Sequence, residues 1–87
     1  MTVEKIVIVK NKQGLHARPA ALFVQIANKF ECEINVKKGK ELVNGKSIMG
    51  IMMLAAERGS KVFLIAKGLD ADRAITELEK FLSEDIL

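Results

Sequence analysis

Hydrophobic residues in this chain recur at two different spacings, and the way those spacings alternate along it restricts the fold to one class. Cys32, Ile34 and Val36 alternate with Glu33, Asn35 and Lys37, the pattern of a strand buried on one side. Ala20, Phe23, Ala27 and Phe30 instead repeat at intervals of three and four, which puts them on one stripe of a helix. Residues 3–10 are rich in β-branched side chains and read as a strand, with Ile6-Val7-Ile8-Val9 as a short buried run. Residues 61–66 read the same way around Val62-Phe63-Leu64-Ile65. Lys38-Gly39 signals a turn, and Glu41-Leu42-Val43 returns as the second strand of a hairpin. A short helix is predicted over residues 48–55. A last helix follows Asp70, which reads as its N-cap, with Asp72 in the first turn and Ile75, Leu78 and Phe81 or Leu82 as the buried stripe. Glu77, Glu79, Glu84 and Asp85 fall on its solvated face and fraying end. The order is β-α-β-β-α-β-α, which implies a two-layer α/β sandwich with helices covering one face of a four-stranded sheet. The pattern leaves the order of the strands open.

A length of 87 residues fits a single domain spanning 1–87. With 49% of residues hydrophobic, a core can form without covalent staples. Cys32 is the only cysteine, which excludes an internal disulfide, and its place in the inward alternation makes it a buried structural thiol. One cysteine and one histidine do not supply the usual ligands of a zinc site, so no metal is expected. A reducing, cytoplasmic setting is the simple reading. No run approaches the roughly 20 apolar residues of a membrane span, no signal peptide is evident, and direct membrane insertion is not expected. The formal charge of +3 reads as a solvated basic surface with a local cluster at Lys37, Lys38 and Lys40. Four phenylalanines with no tyrosine or tryptophan give little to stack on bases, so a nucleic-acid partner is not expected. The glycines build no nucleotide loop and no two carboxylates form an acid/base pair. The chain therefore carries neither a cofactor site nor the constellation of a self-sufficient enzyme.

A strand, a polar loop over residues 11–14 and a helix start place His16 at a helix N-terminus, with Pro19 suited to the first turn. The first N–H groups of a helix have no partner inside it. They favour an anion by about 0.3–1 kcal/mol at an exposed end. A phosphoryl group on the imidazole would meet those donors. Arg18 adds a guanidinium suited to phosphate oxygens. The same position also fits a surface or capping histidine, and the local physics does not choose between the two.

The run Gly14-Leu15-His16-Ala17-Arg18-Pro19-Ala20 resembles the active-site signature of the histidine-containing phosphocarrier family, HPr, of the bacterial phosphoenolpyruvate-dependent sugar phosphotransferase system. The resemblance continues through Phe23-Val24, through Val43-Asn44-Gly45-Lys46-Ser47-Ile48-Met49-Gly50, and into the closing strand and helix. It covers essentially the whole chain. It implies an antiparallel four-stranded sheet with three helices on one face, and a monomeric, cytoplasmic phosphoryl carrier rather than an enzyme. By the same resemblance, His16 accepts a phosphoryl group at Nδ1 from phospho-enzyme I and passes it to EIIA components, while Arg18 stabilises it. Purely regulatory members of the family typically lack the active histidine. His16 thus argues for the carrier over the alternative, a regulatory protein-binding module of a nitrogen-type or incomplete phosphotransferase system.

Ser47 precedes the short second helix and reads as its N-cap. Asn44-Gly45-Lys46-Ser47-Ile48-Met49-Gly50-Ile51-Met52 is similar to the regulatory-serine segment of HPr proteins that are substrates of an ATP-dependent HPr kinase/phosphorylase, with Ser47 at the phosphorylated position. Phosphate there would add about −1.5 to −2 charges, which a helix start accommodates. The resemblance implies weaker contact with enzyme I and a new surface for a transcriptional regulator. Met53-Leu54-Ala55 departs from the Ser-Leu-Gly of many Gram-positive members. Ile48, Met49 and Met52 share a helical spacing that usually marks core, although Ile51 and Leu54 offer a core face of their own. In the family the matching trio is an exposed docking patch, and flexible methionines suit a surface that meets several partners.

Overall fold

Seven elements follow one another in the order the periodicity predicts: β1 (Thr2–Ile8), α1 (Ala17–Ala27), β2 (Glu33–Lys38), β3 (Glu41–Asn44), α2 (Ile48–Met53), β4 (Lys61–Lys67) and α3 (Ala71–Ser83). The structure, a computed structural model, describes residues 1–84; Asp85, expected at the end of the last helix, lies outside them. The strands form one antiparallel sheet in the order β1-β4-β2-β3. β1 occupies an edge and pairs with β4, Thr2 opposite Lys67 and Ile8 opposite Lys61. β2 lies between β4 and β3, with Val36 opposite both Leu64 and Val43. That register aligns the inward side chains of neighbouring strands, and Val7, Ile34, Val36, Val62, Leu64 and Ala66 are all buried beneath the helices. α1 contributes Ala20, Phe23, Val24 and Ala27 to this core, and α3 contributes Ala74, Ile75, Leu78 and Leu82. Phe23 is fully buried and meets Phe81 edge-on, with ring centroids 6.5 Å apart. No described helix is long and apolar enough to cross a membrane.

The continuous apolar runs are buried on one side only. Val7 and Val9 point inward, whereas Ile6 and Ile8 lie on the open face of the sheet, beside Phe63 of β4. β1 ends at Ile8 rather than at Lys10 because the next amides leave the ladder: Val9 N donates to Ser60 O and Lys10 N to Leu82 O. α2 stops at Met53, short of Ala55, which adopts the left-handed region with φ of 50°. Glu77 and Glu79 are not simply solvated, since they pair with Lys29 at 2.9 Å and Lys5 at 3.3 Å.

Asp70 occupies the cap position of α3, but its carboxylate makes no cap bond. Its oxygens instead accept hydrogen bonds from the backbone amides of Glu31, at 2.8 Å, and Cys32, at 2.9 Å. Asp70 thereby ties the start of α3 to the entry of β2, a contact no local pattern encodes. The Glu31 amide foremost, then the Cys32 thiol and amide, hold the Asp70 carboxyl below the ordinary aspartate value of 3.8. Burial, reinforced by the same carboxylate, pushes the Cys32 thiol up. The unfolded chain therefore binds the Asp70 proton more readily than the folded one, and stability rises with pH across that interval. The stabilisation is complete above the ordinary aspartate value and is lost as pH falls through the lower folded-state value. Asp70→Asn is expected to lower stability at neutral pH and to narrow the difference between urea melts at neutral pH and at about pH 3. An unchanged pH dependence in the variant would remove Asp70 from this account.

Candidate functional site

His16 is the N-cap residue of α1. Its backbone is extended, with φ of −79° and ψ of −170°, and its carbonyl accepts the Ala20 amide at 2.8 Å. Its side chain makes no cap bond, and the residue is exposed. Helix geometry leaves the amides of Ala17 and Arg18 with no carbonyl in a preceding turn, and Pro19 has no N–H. His16 thus immediately precedes two open backbone donors, with exposed Arg18 on the same first turn. Pro19 and Ala20 are buried and anchor that turn to the core.

The loop before His16 is braced from behind. Leu15, fully buried, donates its amide to Ala56 O at 2.7 Å. Gly14 has φ of 64°, and a Cβ there would lie 2.6 Å from Ala56 O and 2.8 Å from Glu57 Cα. Only glycine meets both requirements, the left-handed backbone and the close approach. The turn is closed by Gly14 N bonding to Asn11 O and by Gln13 N bonding to the Oδ1 of Asn11, which is itself buried. On the other side Gly59 N donates to Val9 O at 2.7 Å. The bracing segment is steadied in turn by Lys38, whose Nζ reaches Leu54 O and Ala55 O, each at 3.3 Å. The residues that follow α2 therefore fix the loop that presents His16. Sequence patterning did not single out this brace, because its partners are far apart along the chain.

Ser47 is the N-cap of α2, as its position predicts, and its Oγ accepts the Gly50 amide at 3.0 Å. The preceding turn is held by Asn44, whose Oδ1 accepts the Lys46 amide at 2.8 Å and whose carbonyl accepts the Ser47 amide at 3.1 Å. Lys46 Nζ donates to Phe30 O at 2.6 Å, tying this turn to the end of the α1 segment. Ile51 alone of α2 is buried. Ile48, Met49 and Met52 are exposed, so the trio is a surface feature rather than core. Met53 is exposed beside them and was not part of the predicted patch. The signal for it was present in Ile51 and Leu54, which already account for the core face of so short a helix.

α1 packs against α2, so His16 and Ser47 sit at the starts of adjacent helices. No hydrogen bond or ion pair joins the side chains of His16, Arg18 and Ser47. Among the described residues, no three His, Cys, Asp or Glu side chains are grouped to hold a metal ion.

Comparison with known proteins gives matches over almost the whole chain. Residues 3–84 match the family model described as the PTS HPr component phosphorylation site. The HPr-like protein Crh of Halalkalibacterium halodurans is 52% identical over 83 residues, covering 95% of this chain and 99% of that protein. The crystal structure of a phosphocarrier protein HPr from Bacillus anthracis superposes with a TM-score of 0.92 at 48% identity, covering 94% of this chain and 98% of that one. Crh of Bacillus subtilis, described as a dimer with a swapping domain, gives a TM-score of 0.78 at 47% identity and covers 98% of both chains.

Proposed function

Because the chain belongs to the HPr family, whose proteins are phosphocarriers rather than enzymes, we propose that it relays phosphoryl groups through His16. The observation that carries this reading is an exposed histidine at the N-cap of α1 whose side chain makes no cap bond. The His16 Nδ1 lone pair attacks the phosphorus of phospho-enzyme I, and the donor's bond to phosphorus breaks as the new N–P bond forms. The Ala17 and Arg18 amides and the Arg18 guanidinium take up the phosphoryl oxygens. Transfer to an EIIA component repeats the exchange in the other direction. Residues 1–87 work as one cytoplasmic domain and as a monomer, with Ile48, Met49 and Met52 as the docking patch. The monomer is checked by light scattering, with the swapped dimer of Bacillus subtilis Crh as the contrasting state.

The test is incubation with enzyme I and radiolabelled phosphoenolpyruvate. An acid-labile phosphate on the chain is expected, and its absence with a matched enzyme I sinks the reading. The 52% identity to Crh supports a second reading, a regulatory module that signals mainly through Ser47. With ATP and HPr kinase/phosphorylase, an acid-stable phosphate is expected that disappears in Ser47→Ala. That variant also loses its helix cap, at about 1 kcal/mol of stability, so its fold is checked by thermal melting. Phosphate on Ser47 replaces the Gly50 bond with charge beside the docking patch, which weakens contact with enzyme I and offers a transcriptional regulator a new surface. A chain labelled by the kinase and never by enzyme I would establish the regulatory reading instead.

A further inference from the structure

All four methionines of the chain are exposed: Met1 at 68%, Met49 at 68%, Met52 at 39% and Met53 at 67%. Three of them crowd one six-residue helix. The only cysteine, Cys32, is 3% exposed. The sulfur that solvent-borne oxidants reach is therefore thioether sulfur, and most of it lies on α2. We infer that Met49, Met52 and Met53 form a peroxide-oxidisable site whose sulfoxides loosen docking of the carrier on its partners. The inference rests on the docking role proposed above for Met49 and Met52, and it adds Met53 to that patch.

The chemistry is self-contained once a hydroperoxide is supplied. A thioether lone pair attacks one peroxide oxygen, the O–O bond breaks, and an S–O bond forms. Sulfur gives up two electrons, and the proton on the transferred oxygen passes to the second oxygen, which leaves as water when the oxidant is hydrogen peroxide. The product is polar where the parent was apolar and pliable. Pressed into an apolar partner surface, each sulfoxide oxygen loses its water without a new donor, a cost of the size seen for other unpaired buried polar groups. No methionine is part of the core, so oxidation changes the surface while the packing beneath it stays intact. Thiol-driven methionine sulfoxide reductases return the two electrons, which makes the change reversible.

The experiment treats the purified full chain with hydrogen peroxide and locates added oxygen by peptide mass spectrometry. Initial rates of phosphoryl transfer from phospho-enzyme I are then measured against carrier concentration. Sulfoxides on Met49, Met52 and Met53 are expected to raise KM about tenfold with a smaller change in kcat and an unchanged circular dichroism spectrum. Met1→Leu, which lies outside the patch, should show the same peroxide response as the parent. The triple variant M49L/M52L/M53L should give the same KM before and after peroxide, whatever its starting value. Methionine sulfoxide reductase with a thiol should restore the parent. Full oxidation of α2 with KM unmoved, or a triple variant that still responds, overturns the inference. An untreated chain that accepts no phosphoryl group overturns the carrier reading itself, so the two failures are told apart.

Discussion

Substituting His16 by alanine is expected to abolish the acid-labile phosphate transferred from enzyme I, a loss of at least about a thousandfold in rate. The variant should remain folded to within about 0.5 kcal/mol. The second expectation gives the first its meaning. The His16 side chain is exposed and makes no cap bond, so the fold does not lean on it. Its carbonyl still accepts the Ala20 amide, and the Leu15 bond to Ala56 is a backbone bond that alanine preserves. Activity lost with stability retained identifies chemistry at the ring. Arg18→Ala should reduce the rate by roughly tenfold, the size of one lost charge-assisted hydrogen bond, without abolishing labelling. Labelling that persists in the His16→Ala variant would move the acceptor elsewhere.

Phe23→Ala is expected to lower folding stability by about 3–5 kcal/mol, the range for deleting a fully buried aromatic ring. Whole domains are commonly stable by only about 5–15 kcal/mol, so the variant should unfold at much lower denaturant. Phe23 joins α1 to the core and meets Phe81 of α3 edge-on. Losing the ring leaves a cavity where two helices converge over the sheet. The check is urea unfolding with the slope compared to the parent. A stability loss under about 1 kcal/mol would mean the site collapses around the missing ring. α1 also carries His16 at its start, so the variant should present the imidazole less uniformly even where it stays folded.

The element order and the helix-covered face were readable because hydrophobic period reports directly on which side of an element is buried. The order of strands was not, because period says nothing about which strand lies next to which. Ile6-Val7-Ile8-Val9 misled for a related reason. An unbroken apolar run fits a strand covered on both faces, and here Ile6 and Ile8 line a face that the helices leave open. Asp70 was placed correctly at a helix start, but its carboxylate serves amides on a distant segment, a partnership invisible to local spacing. At the site, the position of His16 and the capping by Ser47 followed from local rules. The brace from Ala56 to Leu15 and the reach of Lys38 required three dimensions. The spacing of Ile48, Met49 and Met52 usually marks core, but in a helix as short as α2 only Ile51 is buried.

The placement of β1 at the edge of the sheet, bonded to β4, also fixes when this molecule can come into being. The first of the four strands in chain order has its hydrogen-bonding partner in the last of them, since Thr2 waits for Lys67. The β2–β3 hairpin and α1 can be sampled early, but the sheet cannot close around them until β4 is available. A fold built on such distant pairings is intrinsically slower than one built on local contacts. For a nascent chain this means that the sheet forms only after β4 has been made. The loop that presents His16 inherits the same schedule, because Val9 on one side of it is held by Ser60 and Leu15 by Ala56. The loop that holds His16 therefore takes shape at one late moment, together with the fold, and a chain cut before β4 does not contain it ready-made.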